Sequence, residues 1–341
     1  MIETELPVAA RAFTRDLGIA YPLIGGAMYP CSNPELTAAV SEAGGIGILQ
    51  PISLTYVHGH EFRDGIRLMR ELTDKPIGMN ALIEKSSNKY HQRMIEWIDI
   101  ALEEGIRFFV TSLGKPDWVV ARVHAAGGLV YHDVTELKWA KIGLDCGVDG
   151  LICVNNRAGG HAGAKSMQTM YDELHDLGAP LVCAGGVGEA RDFWQALDNG
   201  YAACQLGTRF IASTECRASA VYKQAIINAT ETDIVLSARI TGIPVSVINT
   251  DFIRRSGTTL GWFSRWLLSR NSTRQWMRIF YGLKSIWQLK RSSLDEKGDK
   301  DYWQAGKSVS SINSIETCAE IMQQLMANKN DDNEKYSDLR S

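Results

Sequence analysis

The sequence predicts an α/β protein: a closed (β/α)8 barrel of parallel strands with a smaller, mainly helical C-terminal domain or lid. Two observations support this prediction. Between Tyr21 and Phe210, short apolar segments rich in Val and Ile alternate with amphipathic segments of helical period. There are eight such apolar segments, and eight strands alternating with helices are typical of a closed barrel. A doubly wound open sheet is the competing arrangement, and the count of eight favours the barrel.

The eight predicted strands are apolar on both faces, as a barrel wall covered by helices requires. In chain order they are Tyr21–Met28, Ile46–Gln50, Pro76–Ile83, Arg107–Leu113, Leu129–Val134, Gly150–Asn155, Pro180–Val187 and Ala203–Phe210. In either sheet arrangement, active-site residues belong at the C-terminal ends of the strands and in the loops that follow them.

Amphipathic segments between the strands predict the helices of an outer layer. These helices include Pro34–Ala43, Tyr90–Glu104, Asp117–Ala126, Glu136–Cys146 and Ala190–Asp198. Several helical segments end at a glycine that can take the left-handed conformation closing a helix. These glycines are Gly44, Gly105, Gly127, Gly147, Gly178 and Gly200.

The regular alternation ends after Phe210. Glu215–Thr230 is predicted to be a helix, Ile240–Ile248 is an interrupted apolar run, and Asp301–Leu325 is predicted to close with another helix. The predicted division is a barrel over residues 1–230, a C-terminal helical or lid region over residues 231–327, and a disordered tail over residues 328–341.

Composition excludes several classes of protein. With 45% hydrophobic and 22% charged residues, the chain has globular rather than disordered composition. No segment is apolar enough over the length of a spanning helix, and the acidic N-terminus lacks the apolar core of a cleaved signal peptide. Seven cysteines without CxxC spacing indicate reduced thiols in a cytoplasmic protein, with neither a disulfide framework nor a zinc site.

The net charge of −3 hides one strongly basic segment. Residues 252–294 contain nine basic residues, no acidic residue and four of the nine tryptophans. The remainder has 27 basic and 39 acidic residues, a net charge of −12. Arg270, Arg274 and Arg278 recur every four residues, which aligns them on one helix face, while apolar side chains, Trp287 among them, line another.

Two interpretations of the basic segment are open. The favoured one is a lid or helix pair that packs its aromatic residues on the barrel. The other is an amphipathic helix that makes a peripheral membrane contact through residues 258–291. Nucleic-acid binding is not expected, because no nucleic-acid-reading motif accompanies the charge.

Glycine-rich strand ends predict a site for a phosphate-bearing ligand. Gly185-Gly186 closes the seventh predicted strand and Gly207-Thr208 the eighth, and loops after these strands often form the phosphate site of such barrels. Helices predicted to begin at Glu189 and Thr214 would add positive dipole to the bare N–H groups. The alternative is that these glycines only form turns. The chain has neither a GxGxxG nor a Walker A motif, so nucleotide binding by those devices is not supported.

Three further residues are predicted to face the same end of the barrel. His161 follows the sixth strand in a glycine-rich loop, where an imidazole can act as acid, base or hydrogen-bond partner. Met28 ends the first strand and suits an aromatic face, while Asn80 in the third strand offers a donor and an acceptor to a ring edge. Each has an alternative role as an ordinary core or turn residue.

A polar pair, His132 and Asp133, ends the fifth predicted strand, where charged groups are costly unless they are used or solvated. No HxxxH motif or carboxylate cluster occurs at metal-ligand spacing, so no metal site is predicted. No GxSxG element supports a serine hydrolase.

A set of motifs follows a fixed order from Tyr21 to Phe210, and more loosely to Leu325. It comprises Gly25–Met28, Leu36–Gly45, Gly78–Asn80, Ser112–Pro116, His132–Thr135, Ala158–Gly163, Ala184–Gly186, Gln205–Phe210 and Gln304–Gly306. In this order the set resembles the nitronate monooxygenase (2-nitropropane dioxygenase-like) family of FMN-dependent TIM-barrel oxidoreductases.

The resemblance implies a TIM-like barrel that holds FMN non-covalently under a smaller closing domain. It implies His161 as the catalytic group, facing the reactive edge of the flavin and the substrate. It also implies a set of flavin-binding residues: Gly26, Ala27, Met28, Asn80, Gly159, Gly160, Gly185, Gly186, Gln205, Gly207 and Thr208.

The reaction that the resemblance implies is oxidative denitrification. FMN takes an electron from an alkyl nitronate, and O2 completes the conversion to a carbonyl compound and nitrite. The expected partners are a nitronate or related anion and O2, and the chain is expected to act as a monomer or homodimer. Similar flavin barrels catalyse NAD(P)H:quinone reduction or enoyl-thioester reduction, and these two activities remain alternatives. A membrane-associated binding protein is the non-enzymatic alternative.

Two positions depart from the family pattern. Many relatives carry Lys after the histidine of the fifth-strand motif, whereas this chain has Asp133, which removes a cation expected near the flavin. The segment Asn155–Arg157 is also atypical, and Arg157 is the candidate to replace the missing charge. Both departures affect the expected substrate more than the expected cofactor.

Overall fold

Eight parallel strands close into a barrel in the computed structural model, which describes residues 6–83, 88–239, 242, 244–259, 287–294 and 301–327. The strands are β1 Leu23–Gly25, β2 Ile46–Leu49, β3 Ile77–Leu82, β4 Phe108–Ser112, β5 Leu129–Val134, β6 Gly150–Val154, β7 Leu181–Ala184 and β8 Ala203–Leu206. Each strand pairs in parallel with the next, and β8 pairs with β1. The predicted closed barrel is confirmed, and the open sheet is excluded.

Helices surround the barrel. They are α1 Val8–Leu17, α2 Pro34–Glu42, α3 Phe62–Leu72, α4 Asn88–Glu103, α5 Asp117–Ala125, α6 Leu137–Asp145, α7 Met167–Leu174, α8 Ala190–Asp198, α9 Thr208–Ile211, α10 Ala220–Asn228, α11 Asp251–Ser256, α12 over 287–294 and α13 Cys318–Leu325. The six glycines predicted to close helices all have left-handed backbone, with φ between 71° and 102°.

Side chains along each strand alternate between the barrel interior and the layer of helices. Apolar residues such as Ile24, Ile152 and Val182 fill the interior, as in other packed barrels. At the N-terminal end α1 supplies Phe13, whose ring lies edge-on to Tyr131 with centroids 5.8 Å apart. The predicted site residues therefore lie at the opposite, C-terminal end.

The chain after β8 differs from the prediction. β8 ends at Leu206, and Thr208–Ile211 is a helical turn, so the predicted strand Ala203–Phe210 was too long. No helix begins at Thr214. Gly207 is the residue at which the strand turns into the helix, and an apolar run alone does not reveal this change.

The helix predicted over Glu215–Thr230 is shorter than expected and spans Ala220–Asn228. Its start is fixed by Ser219, whose hydroxyl accepts a hydrogen bond from the N–H of Tyr222. Three helices that the apolar pattern did not single out, α1, α3 and α7, complete the outer layer.

The C-terminal region, predicted to be mainly helical, also contains an antiparallel hairpin. Its strands are β9 Ile234–Ser237 and β10 Val245–Ile248. β10 lies over the loop after β6, where Ser246 pairs with Gly160, and it also pairs with the segment before α13, where Val247 faces Gln304. Helix α13 packs on the barrel between α2 and α8.

Most of the basic segment, including Arg270, Arg274 and Arg278, lies outside the described residues, as does the predicted tail 328–341. In the described part Trp287 is 60% exposed, and the Arg291 guanidinium lies 5.5 Å from the centroid of the Trp287 ring. Within the described ranges, no helix combines the length and apolar character needed to cross a membrane.

Candidate active site

Free backbone N–H groups gather at the ends of β7 and β8. Gly185 and Gly186 have φ of 117° and 84°, which ends β7 earlier than predicted. A Cβ on Gly185 would lie 2.5 Å from the Ala158 nitrogen, so only glycine fits there. Among the described residues, the N–H groups of Gly186, Gly207 and Thr208 have no hydrogen-bond partner. We call Gly185, Gly186, Gly207 and Thr208 the glycine cradle; its free donors can hold an anion.

Asn155 joins the ends of β6 and β7. Its Nδ2 donates to the carbonyl of Gly185 at 2.8 Å, and its Oδ1 accepts from the N–H of Arg157 at 2.8 Å. The side chain is fully buried. Sequence reasoning noted Asn155 only as part of an atypical segment, because its partner Gly185 is 30 residues away and no local pattern connects the two.

The C-terminal segment fixes this end of the site. The Thr208 hydroxyl accepts from the N–H of Gly306 at 2.9 Å, and the N–H of Lys307 donates to the Arg157 carbonyl at 2.8 Å. Gly160 exchanges two backbone hydrogen bonds with Ser246, at 3.3 and 2.7 Å. The polar backbone groups of Gly160 are thus occupied by the protein, and this glycine serves close packing.

Arg157 lies beside the glycine cradle, because a Cβ on Gly186 would be 2.7 Å from its Nε. Its guanidinium forms a salt bridge of 2.7 Å with Glu231. The positive charge therefore sits near the predicted phosphate position and is shared with a carboxylate.

Residues from β1 and β8 that are far apart in sequence meet at the barrel mouth. A Cβ on Gly26 would lie 3.0 Å from Cγ of Gln205, and one on Gly207 would lie 3.4 Å from Sδ of Met28. Ala27, between Gly26 and Met28, packs on the apolar interior. The predicted grouping of these motifs around one mouth agrees with this geometry.

Strand alternation places three polar side chains on the inner face at this mouth: Asn80, Asp133 and Gln205, which we call the inner polar residues. The Nδ2 of Asn80 donates to the Val110 carbonyl at 3.3 Å. Asp133 Oδ1 and Gln205 Oε1 are buried and have no hydrogen-bond partner among the described residues. An unmade hydrogen bond of this kind costs about 1–3 kcal/mol, so the two oxygens mark where a ligand would supply donors.

His132 and Asp133 have opposite orientations. His132 points outward, where its Nδ1 lies 2.8 Å from the Thr111 hydroxyl, and burial lowers its pKa to about 4, so the ring is neutral. Asp133 points inward, and burial raises the pKa of its carboxyl to about 7. Of the polar pair predicted at the end of β5, only Asp133 belongs to the mouth.

His161 is the central residue of a tight turn in which the N–H of Ala162 donates to the carbonyl of Gly160 at 2.9 Å. Its side chain is exposed, yet the surrounding protein removes enough water to lower its pKa below the usual histidine value. No described residue hydrogen-bonds its ring. The imidazole is therefore neutral at pH 7 and free to accept a proton or a hydrogen bond.

All seven cysteines are free thiols, and six of them are buried. In the part of the chain that the structure describes, no group of three or more His, Cys, Asp or Glu side chains is arranged to hold a metal ion. The titratable side chains at this end of the barrel are Asp133 and, in the loop after β6, His161.

Comparison with known proteins gives one family and several relatives. A family profile described as nitronate monooxygenase matches residues 11–328. The chain is 25% identical to the (3aS,4S,5R,7aS)-5-hydroxy-7a-methyl-1-oxo-octahydro-1H-indene-4-carboxyl-CoA dehydrogenase of Rhodococcus jostii (strain RHA1), over 93% of this chain and 94% of the relative. It is 28% identical to a probable nitronate monooxygenase of Staphylococcus saprophyticus, over 70% of this chain and 78% of the relative.

Among solved structures, FabK from Thermotoga maritima superposes with a TM-score of 0.77. The two chains are 25% identical, and the match covers 96% of this chain and 98% of the other. The barrel and its C-terminal region are therefore shared as one unit.

Proposed function

Because the chain belongs to the nitronate monooxygenase family, we propose that it is an FMN-dependent oxidoreductase that oxidises alkyl nitronates with O2 to carbonyl compounds and nitrite. The observation that supports this best is the meeting, at one barrel mouth, of free N–H donors and unpaired acceptors, with His161 in the loop that follows β6. FMN has an anionic phosphate at one end and a planar ring with an N–H edge at the other. The phosphate end matches the free donors of the glycine cradle, and the N–H edge matches the unpaired oxygen of Gln205.

Each end of the site has a proposed role. The glycine cradle holds the phosphate, with Arg157 beside it, and Gly26, Ala27, Met28, Asn80 and Gln205 border the ring. Gly159 and Gly160 keep the His161 loop close to the C-terminal segment. When bound, FMN supplies the redox chemistry.

His161 has two proposed tasks, and the first needs its neutral form. A free ring nitrogen takes the proton from the carbon of a neutral nitroalkane, or the ring N–H donates a hydrogen bond to a nitronate oxygen. The lowered pKa keeps the ring neutral at pH 7, so the base is available without prior deprotonation.

A second candidate function is hydride transfer next to a thioester carbonyl. Asp133 favours it, because a carboxylate at the mouth opposes an anionic nitronate more than a neutral acyl thioester. The carboxyl-CoA dehydrogenase relative, which matches almost the whole chain, points the same way.

An anaerobic flavin-bleaching experiment separates the two candidates. The purified holoprotein is mixed in turn with propyl-nitronate, with an enoyl-CoA plus NADH, and with NADH alone. Bleaching by propyl-nitronate, followed by nitrite release when air is admitted, supports the first candidate. Flavin that ignores nitronate but is reduced by NADH and reoxidised by enoyl-CoA supports the second. A colourless protein that cannot be reconstituted with FMN yet sediments with anionic vesicles would contradict both and favour a membrane-associated binding protein.

A further inference from the structure

The orientation of Asp133 is fixed by its neighbours on β5. Tyr131, two residues earlier, packs inside the barrel with Ile152, whereas His132 faces Thr111 and Gly143 of the outer layer. Asp133 therefore points inward at the end of the strand, where Oδ1 is buried without a partner among the described residues.

A second, independent observation points to a ligand at the same mouth. Gln205 Oε1 on β8 is also buried and unpaired. Two unpaired acceptors on the inner face of one barrel end are what a ligand with donor groups would satisfy.

No cation in the described part of the chain neutralises Asp133. On β5 itself the titratable neighbours are Tyr131 and His132, both uncharged at pH 7 because burial raises the pKa of the phenol and lowers that of the imidazole. On β6 the buried Cys153 thiol is also neutral, since burial raises its pKa and the Asp133 charge raises it further. The end of β4 offers Thr111 and Ser112, which do not titrate. Arg157, the candidate replacement cation, is paired with Glu231 beside the glycine cradle.

We infer that Asp133 selects the charge of the substrate: the mouth takes a neutral molecule, or an anion only together with a proton on Asp133. The inference rests on the proposed function, because the substrate is the molecule that meets the flavin at this mouth. A protonated carboxyl donates a hydrogen bond to an anion, whereas a carboxylate repels it in a site with little water.

The expected pH dependence follows from linkage. Burial raises the Asp133 pKa to about 7, so the carboxyl is protonated below this value and charged above it. Affinity for an anion should therefore begin to fall as the pH approaches about 7, and the fall should steepen to about tenfold for each pH unit above about 8. Affinity for a neutral ligand of the same shape should not change.

Two unreactive ligands test the inference directly. Propanoate is an anion with the shape of a nitronate, and propanamide is its neutral counterpart. Each is titrated into the FMN holoprotein between about pH 6 and pH 9, and the dissociation constant is read from the change in flavin absorbance. We expect the propanoate constant to rise about 50-fold from pH 7 to pH 9, because half of the Asp133 carboxyl is already charged at pH 7, and the propanamide constant to stay level.

Two variants show whether Asp133 causes the pH dependence of propanoate binding. Asp133→Asn mimics the protonated carboxyl, so its dissociation constant for propanoate should not change with pH. Asp145→Asn makes the same substitution at an exposed position of α6, and its dissociation constant should depend on pH as in the wild-type protein. The inference would be overturned, and the proposed function left standing, if the dissociation constants of the two ligands changed with pH in parallel in the wild-type protein. The same holds if the propanoate constant of Asp133→Asn still rose with pH. Flavin that neither ligand perturbs and no substrate class reduces would overturn the proposed function with it. If Asp133→Asn does not fold, the wild-type pair of curves still decides.

Discussion

The glycine cradle and the inner polar residues occupy the same barrel mouth but are built in opposite ways. The cradle presents donors, the free N–H groups of Gly186, Gly207 and Thr208, on backbone held by Asn155 and Gly306. The inner polar residues present acceptors, the unpaired oxygens of Asp133 and Gln205. Under the proposed function, the backbone of the cradle is already arranged for the phosphate of FMN, whereas the inner polar residues lack hydrogen-bond donors that a ligand would supply.

The largest effect is expected at His161, which lies outside both regions. His161→Ala should lower turnover by about 100-fold or more while leaving FMN bound, because positioned acid–base groups contribute at least this much. In the wild-type protein the acid limb of the rate should lie below the usual histidine pKa, since the ring must be neutral and its pKa is lowered. Stopped-flow flavin reduction measures both, with His175→Ala as the exposed control. Unchanged kinetics in His161→Ala would remove His161 from the mechanism.

Within the cradle, Gly185→Ala should weaken FMN binding about 100-fold. The new Cβ would meet the Ala158 nitrogen at 2.5 Å, and the φ of 117° is unfavourable for alanine. Gly178→Ala is the matched control, because its φ is 76° and no atom lies within 4 Å of the added Cβ. Flavin fluorescence gives the affinity and thermal unfolding the stability. Wild-type affinity in Gly185→Ala would show that the cradle does not hold the cofactor.

A smaller effect is expected at Asn155, which holds the backbone of the cradle through its hydrogen bond to the Gly185 carbonyl. Asn155→Asp removes the donor to the Gly185 carbonyl and adds a negative charge near the proposed phosphate, so FMN affinity should fall about tenfold. Asn156→Asp makes the same change at an exposed neighbour and should alter affinity less than twofold. Equal losses in the two variants would contradict a positioning role for Asn155.

The smallest effect is expected at Glu231. Glu231→Gln frees Arg157 from its half-exposed salt bridge, so FMN should bind about two- to threefold more tightly at low ionic strength. The gain should disappear as salt is added. Isothermal titration at two salt concentrations checks this, and weaker binding at low salt would mean that Glu231 orients Arg157 rather than competing for it.

The cradle and the inner polar residues also differ in how far the sequence predicts them. Glycines at the ends of predicted strands identified the cradle, because backbone requirements are visible in residue type. Period-two alternation within β5 is enough to separate His132 from Asp133, yet deciding which one faces inward requires the packing of Tyr131. The hydrogen bonds of Asn155 with Gly185 and of Thr208 with Gly306 join residues 30 and 98 positions apart, and no local pattern predicts them.

The fold was predicted where periodicity is strong, as at Leu129–Val134 and Ala190–Asp198, whose bounds match the structure. It was missed where a short apolar run continues from strand into helix, as from Leu206 to Ile211. The hairpin of β9 and β10 was missed because Ile240–Ile248 is too short and interrupted for a period to appear.

The link between Lys307 and the Arg157 carbonyl has a consequence for the order of events during synthesis. The eight strands are complete by residue 206, but the loop after β6 acquires its final partner about 100 residues later. A ribosome-bound chain ending before residue 307 would carry every strand of the barrel but would lack the hydrogen bond that Lys307 makes to the loop after β6. If the glycine cradle holds FMN as proposed, a nascent chain should therefore bind the cofactor only after residue 307 has been made.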